Sequence, residues 1–313
     1  MSCLQPEPLN NVEMITSLDQ MVKCVLESGR KHRIALAWAH NSNSIRSLMQ
    51  AVKDGFAEAL LIGQPEIILD VCKKTAVNPG LLKIIPGYDE DSAIKLAVKL
   101  AKNGEADVVM KGMVSTDKYL KAVMDKENGL MLPDAVLSYV CALELPAYHK
   151  LLFITDPAVL PYPNLMQKVI ITKYASDMAG KFGVNKPKIA LIGASEKASP
   201  NFHYSADYIQ MCQMAKAGEF GDCIMDGPLD IFLACDNKSQ QNKGLTTPVD
   251  GDADILIFPS LESCNPFYKS LMLFANGKLA GLLRGTTKPV ILMSRNETEK
   301  SKYYCIALSC LMV

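Results

Sequence analysis

Residues 82–110, LKIIPGYDEDSAIKLAVKLAKNGEADVVM, contain two short apolar runs separated by an amphipathic segment. The runs Leu82–Ile85 and Val108–Met110 have the length and composition of strands buried on both faces of a parallel sheet. Between them, Asp91–Lys102 places apolar residues at helical spacing on one side and lysines on the other, which predicts a helix. The order strand, helix, strand predicts a right-handed crossover, the building unit of α/β proteins.

The same alternation continues on both sides of this unit. Further predicted strands are Arg33–Ala39, Ala59–Ile62, Leu151–Thr155, Lys188–Ile192, Cys223–Met225, Ile255–Phe258 and Val290–Met293. Further helical patterns cover Gln167–Phe182 and Lys269–Ala275. One stretch differs, because the apolar run Ala135–Leu145 is followed after a short turn by another strand, which predicts an antiparallel pair. The polar stretch Asn237–Gly251 is predicted to be a mobile loop.

The composition is that of a globular protein large enough for two domains. The chain has 313 residues, of which 49% are hydrophobic, and it carries 33 basic and 33 acidic residues. This balance lacks the basic excess of nucleic-acid-binding proteins. No apolar run reaches the roughly 20 residues that span a bilayer. Ten cysteines without a C-x-x-C pair are typical of reduced thiols, so we expect a cytoplasmic protein.

Familiar catalytic and metal motifs are missing from the sequence. It has no G-x-x-x-x-G-K-[ST] or G-x-G-x-x-G phosphate loop, no H-E-x-x-H and no G-x-S-x-G. Asp250, Asp252 and Asp254 alternate in one turn, but no further ligand lies near them in sequence. A solvated turn is therefore predicted there, and no metal site.

One candidate anion site follows a predicted strand. Lys111 stands at the strand end, Gly112 permits a tight turn, and Ser115 or Thr116 could begin the helix that follows. Unpaired N–H groups in the first helical turn attract anions, and the lysine adds positive charge. The alternative is an ordinary helix cap.

Two later segments also combine a strand end with polar side chains. Ser294 with Glu297 resembles a capping box of the last helix, whereas Arg295 beside them could bind a phosphate through both of its terminal nitrogens. In the other segment, Asn265, Tyr268 and Lys269 lie near a predicted helix start. The alternative for this second group is capping and the spreading of long side chains over apolar surface.

Several of these stretches, in this order, resemble the phosphate acetyl/butyryl transferase family. The matching stretches are Asp107–Gly112 with Ser115 and Thr116, Leu152–Asp156, Asp226–Leu229, Gly251–Leu256, Asn265–Lys269, Lys288–Val290 and Ser294 with Arg295. The resemblance covers roughly residues 15 to 313 and is strongest to the butyryltransferase branch. It depends on several matches in register, since each one alone would be weak.

The resemblance implies two three-layer α/β domains with a cleft between them, as in isocitrate and isopropylmalate dehydrogenases. Residues 1–139 with 292–313 would form the first domain and residues 140–291 the second. It implies a homodimer or higher homo-oligomer. It also implies the reversible reaction of butyryl-CoA with phosphate to give butyryl phosphate and CoA, by direct transfer. Coenzyme A and phosphate are substrates, and no cofactor or metal is implied.

The resemblance also implies roles for individual residues. Ser294 and Arg295 would contact the phosphate and the reacting carbonyl, and Lys121 stands where acetyltransferases have a phosphate-binding arginine. Members of the acetyltransferase branch have a catalytic aspartate after the Ser-Arg pair, but no aspartate follows Arg295 here. The nearest carboxylates are Glu297 and Glu299, and Glu299 is the predicted general base.

Three other functions stay open at this point. The first is phosphate acetyltransferase or another short-chain specificity, because the sequence does not reveal the depth of the acyl site. The second is a non-catalytic module that binds acyl-CoA and regulates another protein. The third is a metal- and NAD-dependent decarboxylating dehydrogenase of similar fold, although the clustered aspartates and cofactor loop that it needs are not found.

Overall fold

The computed structural model describes residues 14–294 and 297–313, and these form a single mixed β-sheet covered by helices. The strands in this part of the chain are β1 (His32–Ala37), β2 (Ala57–Gly63), β3 (Lys83–Pro86), β4 (Val108–Lys111), β5 (Ser138–Glu144), β6 (Leu152–Thr155), β7 (Lys188–Ile192), β8 (Ile224–Leu229), β9 (Ile255–Ile257), β10 (Lys278–Arg284) and β11 (Val290–Ile291). The prediction of an α/β protein is confirmed.

The α-helices surround this sheet. They are α1 (Leu18–Glu27), α2 (Ser42–Lys53), α3 (Pro65–Lys74), α4 (Glu90–Lys102), α5 (Thr116–Val123), α6 (Leu165–Lys181), α7 (Ser205–Lys216), α8 (Ile231–Cys235), α9 (Asn237–Lys243), α10 (Leu261–Phe274) and α11 (Glu299–Leu311). None of the helices in the described residues has the length and apolar character needed to cross a membrane.

The strand order is β3-β2-β1-β4-β11-β10-β5-β6-β9-β7-β8. The strands from β3 to β11 are parallel to one another, and so are those from β6 to β8. Strands β10 and β5 connect the two parts through antiparallel pairs. Because three successive pairs are antiparallel, the two parallel parts run in opposite directions.

The strand–helix–strand unit at residues 82–110 forms as predicted. Helix α4 buries its alanine, isoleucine and valine face, and Asp89 caps it by accepting the N–H of Ser92 in a capping box. Strands β5 and β6 form the predicted antiparallel pair, from Val140 opposite Thr155 to Leu143 opposite Leu152.

Strand β10 was not predicted from the sequence. It pairs with β5 along its whole length, from Lys278 opposite Glu144 to Arg284 opposite Ser138. Its charged ends and central Gly281 weaken the strand signal, because glycine contributes no side chain to a sheet. The pairing nevertheless makes β10 the link between the two parts of the sheet.

Three local predictions are corrected by the structure. The last helix begins at Glu299 and is capped by Thr298, whose hydroxyl accepts the N–H of Ser301, so Ser294 is not its cap. Residues 237–251 are not a loop throughout, because α9 lies within them. Helix α10 begins eight residues before the predicted Lys269, with Ser260 as its cap.

The C-terminal helix α11 lies against the helices near the start of the described chain. Helix α11 packs against α1, α2 and β10, and much of its surface is buried. Buried apolar side chains from both parts of the sheet form one continuous cluster. The proposed domain limits, residues 1–139 with 292–313 and residues 140–291, stay a prediction. The cysteines of residues 14–294 and 297–313 form no disulfide bond.

Candidate active site

A cavity of about 220 Å³ lies where the two parts of the sheet meet. Six segments supply its walls: the start of α5, strand β5, the turn after β6, helix α10, strand β10 and the residues after β11. The lining residues are Thr116, Tyr139, Pro157, Ala158, Asn265, Tyr268, Lys269, Leu279, Leu292, Met293, Ser294 and Glu297. Five of the predicted site residues are therefore together in one cavity.

The segment after β11 brings Ser294 to this cavity. Strand β11 pairs with β4, the strand that leads to α5, so the residues after the two strands are close together. Leu292 and Met293 are buried, whereas Ser294 is exposed. Arg295, which the resemblance places beside Ser294 in the reaction, lies outside the described residues, and its predicted role stays a prediction.

At the start of α5, Thr116 lines the cavity. Ser115 occupies the cap position, but its side chain makes no capping hydrogen bond. Its backbone N–H instead donates to the carboxylate of Glu90 at the start of α4. Lys111 is buried at the end of β4 and is not among the residues that line the cavity. An anion that used the Ser115 N–H would therefore have to replace Glu90.

Helix α10 supplies three predicted residues from one face. Asn265, Tyr268 and Lys269 are three and four positions apart, a spacing that places side chains next to one another on a helix. The Asn265 side-chain amide donates to the backbone carbonyl of Pro157 at 2.7 Å. Asn265 therefore holds α10 against the turn after β6. Burial raises the pKa of the Tyr268 phenol, which stays protonated at neutral pH.

A buried carboxylate that was not predicted holds this turn. Asp156 follows β6 and accepts the backbone N–H groups of Ala158 at 2.8 Å and Val159 at 2.9 Å, and that of Tyr139 at 3.2 Å. Burial raises the pKa of Asp156, and these hydrogen bonds to its oxygens oppose the rise. Asp156 fixes the backbone that carries Pro157 and Ala158 into the cavity wall. In the sequence, Asp156 stood out only as the residue after a predicted strand and as the last residue of a stretch that resembles the family.

Glu297 is the carboxylate that lines the cavity. Burial raises its pKa, and the charges of Lys302 and Lys269 oppose the rise. Lys302 is only 3% exposed, and its ammonium group donates to the backbone carbonyl of Glu297 at 3.3 Å. Burial also lowers the pKa of Lys302. A half-buried carboxylate with a raised pKa in a cavity is a candidate for exchanging a proton with a substrate.

Two predicted site residues lie away from this cavity. The Glu299 carboxylate is 2.8 Å from the Nε of Arg46, and Glu299 lines a separate groove with Ser47 and Tyr303. Lys121 lines a third cavity, formed between α4 and α5 with Asp91 and Asp125. Sequence spacing does not separate Glu297 from Glu299, because only the position of the helix start determines which of the two faces the cavity.

Two of the three aspartates in the turn before β9, Asp252 and Asp254, are paired with lysines, whereas Asp250 accepts hydrogen bonds from Asn237 and Gln240. Asp252 is 2.9 Å from Lys150 and 3.0 Å from Lys188, and Asp254 is 2.7 Å from Lys150. Within the described residues, no group of three or more histidine, cysteine, aspartate or glutamate side chains is arranged to hold a metal ion.

The cavity brings hydroxyl, ammonium and carboxylate groups together beside apolar side chains. Hydroxyls of Thr116 and Ser294, the ammonium of Lys269 and the carboxylate of Glu297 share a cavity with an apolar wall. The family model described as phosphate acetyl/butaryl transferase matches this chain over residues 89–310. The chain belongs to this family, and the resemblance found in the sequence is confirmed.

Curated relatives extend the match to almost the whole chain. The phosphate butyryltransferase of Clostridium acetobutylicum is 33% identical over 299 residues, which cover 96% of this chain and 99% of that protein. The phosphate acetyltransferase of Thermotoga maritima is 32% identical over 295 residues, which cover 93% of this chain and 98% of that protein. The chain is therefore a phosphate acyltransferase. The two identities are too close together to choose between butyryl and acetyl groups.

A solved structure agrees with this placement. The crystal structure of a branched-chain phosphotransacylase from Enterococcus faecalis V583 superposes with a TM-score of 0.78 at 28% sequence identity. The match covers 90% of this chain and 98% of that one. The similarity thus includes both parts of the sheet and the strands that join them.

Proposed function

We propose that this protein catalyses the reversible reaction of butyryl-CoA with inorganic phosphate to give butyryl phosphate and CoA. The observation that carries the proposal is the cavity itself, in which Ser294, Thr116, Lys269 and Glu297 face one space with an apolar wall. The four polar side chains suit phosphate and a reacting carbonyl, and the apolar wall suits an alkyl chain. The butyryl group is taken from the phosphate butyryltransferase of Clostridium acetobutylicum, and the assay below decides between it and acetyl.

Glu297 acts as the general base, in place of the predicted Glu299. In the direction that forms the thioester, the CoA thiol must lose a proton before its sulfur can attack. The ordinary pKa of a thiol is about 8.5, so a nearby carboxylate helps at neutral pH. Glu297 lines the cavity and has a raised pKa, whereas Glu299 is ion-paired with Arg46 in another groove. The proton passes from the thiol to the Glu297 carboxylate.

The thiolate then forms a carbon–sulfur bond with the acyl carbonyl, and the bond from that carbon to the phosphate oxygen breaks. The electron pair of the broken bond leaves with phosphate. The Ser294 hydroxyl donates to the carbonyl oxygen as negative charge develops there. Lys269, Thr116 and Arg295 bind the phosphate group. Because both substrates occupy one cavity, the reacting atoms meet in a fixed orientation, and no covalent enzyme intermediate is required.

The test is an assay of phosphate-dependent CoA release from acetyl-, propionyl-, butyryl-, isobutyryl- and hexanoyl-CoA. The proposal expects turnover that needs phosphate and is fastest with butyryl-CoA. Fastest turnover of acetyl-CoA would instead assign the acetyltransferase activity of the Thermotoga maritima relative. Binding of acyl-CoA without any release of CoA would assign the regulatory module and contradict the proposed reaction.

Arg295 provides a second check on the reaction. Replacement of Arg295 by alanine is expected to lower the transfer rate by roughly a hundredfold or more, the scale for loss of a preorganised charged contact. Near-normal turnover of this variant would remove Arg295 from the mechanism.

The assembly and location belong to the same proposal. We propose a cytoplasmic homodimer or larger homo-oligomer, with the division into residues 1–139 with 292–313 and residues 140–291 and the active site in the cleft between them. Light scattering of the purified protein tests the assembly, since a monomeric mass at working concentration contradicts it.

A further inference from the structure

Tyr139 forms the floor of the cavity in an unusual way. It is 5% exposed, and its ring extends along the sheet and lies over Gly281 of the neighbouring strand. A Cβ atom built on Gly281 would be 2.6 Å from the Tyr139 hydroxyl oxygen and 2.7 Å from a carbon of its ring. The ring, together with the Cβ of Cys141 at 2.7 Å, therefore fills the place that a side chain at position 281 would take.

The far end of the ring is fixed as well. The Tyr139 hydroxyl lies against Gly281, and the backbone N–H of Gly281 donates to the Cys305 sulfur on α11 at 3.2 Å. The aromatic ring is thus held between β10 and α11. A floor held in this way cannot move aside easily for a longer ligand.

The wall next to this floor is apolar. Leu279 is 2% exposed and lies on the same face of the sheet as Tyr139 and Gly281, because alternate residues of paired strands share a face. Leu292 and Met293 complete the wall from the segment after β11. The polar groups Thr116, Lys269, Ser294 and Glu297 come from the helix α5, the helix α10 and the segment before α11. A charged phosphate gains no favourable contact from apolar side chains, whereas the alkyl chain of an acyl group does. We therefore assign the alkyl chain to this wall.

We infer that Tyr139 is the residue that limits the length of the acyl chain, with Leu279 beside it as the second part of the floor. This inference rests on the proposed acyl transfer and assigns its specificity. The substrate class is a short acyl thioester whose chain ends against the Tyr139 ring. Removal of the ring opens the space above Gly281, and chains longer than butyryl then enter it.

The experiment compares kcat/KM for hexanoyl-CoA with that for butyryl-CoA in one preparation. In Tyr139→Ala the ratio is expected to rise about tenfold, because two further methylene groups are buried. In Tyr139→Phe the ring stays, and the ratio is expected to stay near that of the unmodified protein. A ratio of two substrates does not depend on the fraction of protein that is folded, so partial unfolding cannot imitate the effect.

Leu279→Ala provides the second variant if Tyr139→Ala fails to fold. It enlarges the same floor and is expected to raise the same ratio. Phe274→Ala is the matched control, because Phe274 is an exposed aromatic residue at the end of α10, outside the cavity. Its ratio is expected to equal that of the unmodified protein.

The outcomes separate this inference from the proposed function. Absence of phosphate-dependent CoA release in the unmodified protein contradicts the proposed function. Normal activity of the unmodified protein, with an unchanged ratio in Tyr139→Ala or in Leu279→Ala, overturns the assignment of the floor alone. An increase in Phe274→Ala equal to that in Tyr139→Ala overturns it too, because the effect would then not come from the cavity.

Discussion

At the scale of single residues, Glu297 combines a position in the cavity with a raised pKa. The base must be ionised, so the transfer rate is expected to fall as the pH drops through this pKa. Glu297→Gln is expected to lower the rate by about a hundredfold or more, the range for loss of a general base. The measurement is kcat against pH for both proteins. A retained rate with the same acidic limb in the variant would contradict the assignment.

The raised pKa of Glu297 also predicts how the stability of the protein changes with pH. Because burial raises the pKa of Glu297, the folded protein binds this proton more tightly than the unfolded chain does. The free energy of unfolding therefore decreases as the pH rises from the unfolded pKa to the folded one. Above the folded pKa the charged carboxylate is a cost, and there Glu297→Gln should unfold at the same or a higher urea concentration than the unmodified protein. A large decrease in the urea midpoint would contradict this sign.

Lys302 is the lysine whose charge acts most strongly on Glu297, ahead of Lys269. Its charge lowers the pKa of Glu297, although burial is the larger effect. Lys302→Met is therefore expected to move the acidic limb of the kcat profile to higher pH. Lys302→Arg keeps the charge and serves as the control, with the limb expected nearer to its original position. A lower rate with an unmoved limb would show that Lys302 only supports the backbone at Glu297.

At the scale of elements, substitutions of Thr298 and Ser294 are expected to have different effects, the first on helix stability and the second on the transfer rate. Thr298 caps α11, so Thr298→Ala is expected to lower the free energy of unfolding by about 1 kcal/mol. Ser294 does not cap the helix, and Ser294→Ala is expected to lower the transfer rate with little change in stability. Urea titration and the CoA-release assay on both variants check this. Equal loss of stability in both variants would contradict the observed helix start.

The elements also show what can be predicted from this sequence. Strands buried on both faces have continuous apolar runs, and for that reason β1, β4, β7 and the β5–β6 pair were predicted. Strand β10 was not, because its centre is Gly281, whose missing side chain is replaced by the Tyr139 ring from the neighbouring strand. Such a substitution across strands leaves no periodic signal in the strand itself.

For the site too, residues close together in the sequence could be predicted, whereas residues brought together only by the fold could not. Asn265, Tyr268 and Lys269 were predicted as polar groups near a helix start and as part of a stretch that resembles the family, although the helix was expected to begin only at Lys269. Tyr139 and Leu279 belong to two paired strands that are more than 130 residues apart in the sequence. Only the register of β5 with β10 brings the two residues together. Glu297 and Glu299 are two residues apart, and a small change in the helix start exchanges the one that faces the cavity.

At the scale of the whole molecule, the sheet passes without a break from one parallel part to the other. Strands β5 and β10 pair along seven positions, and α11 contacts both α2 and β10. We therefore expect the two parts to unfold together. Trp38, the single tryptophan, follows β1 and reports on the first part by fluorescence, whereas far-ultraviolet circular dichroism reports on all helices. Coincident urea transitions are expected, and separate midpoints would show that the joining strands couple the parts weakly.

The Glu90 carboxylate accepts the Ser115 N–H and would therefore compete with phosphate, the proposed substrate, for this group. A carboxylate on the same chain is present at a high effective concentration, so phosphate at that amide would bind only by displacing it. The start of α4 would then shift each time phosphate enters and return each time it leaves. In Glu90→Ala the amide has no such competitor, and a KM for phosphate that stayed unchanged would show that the substrate never uses this N–H.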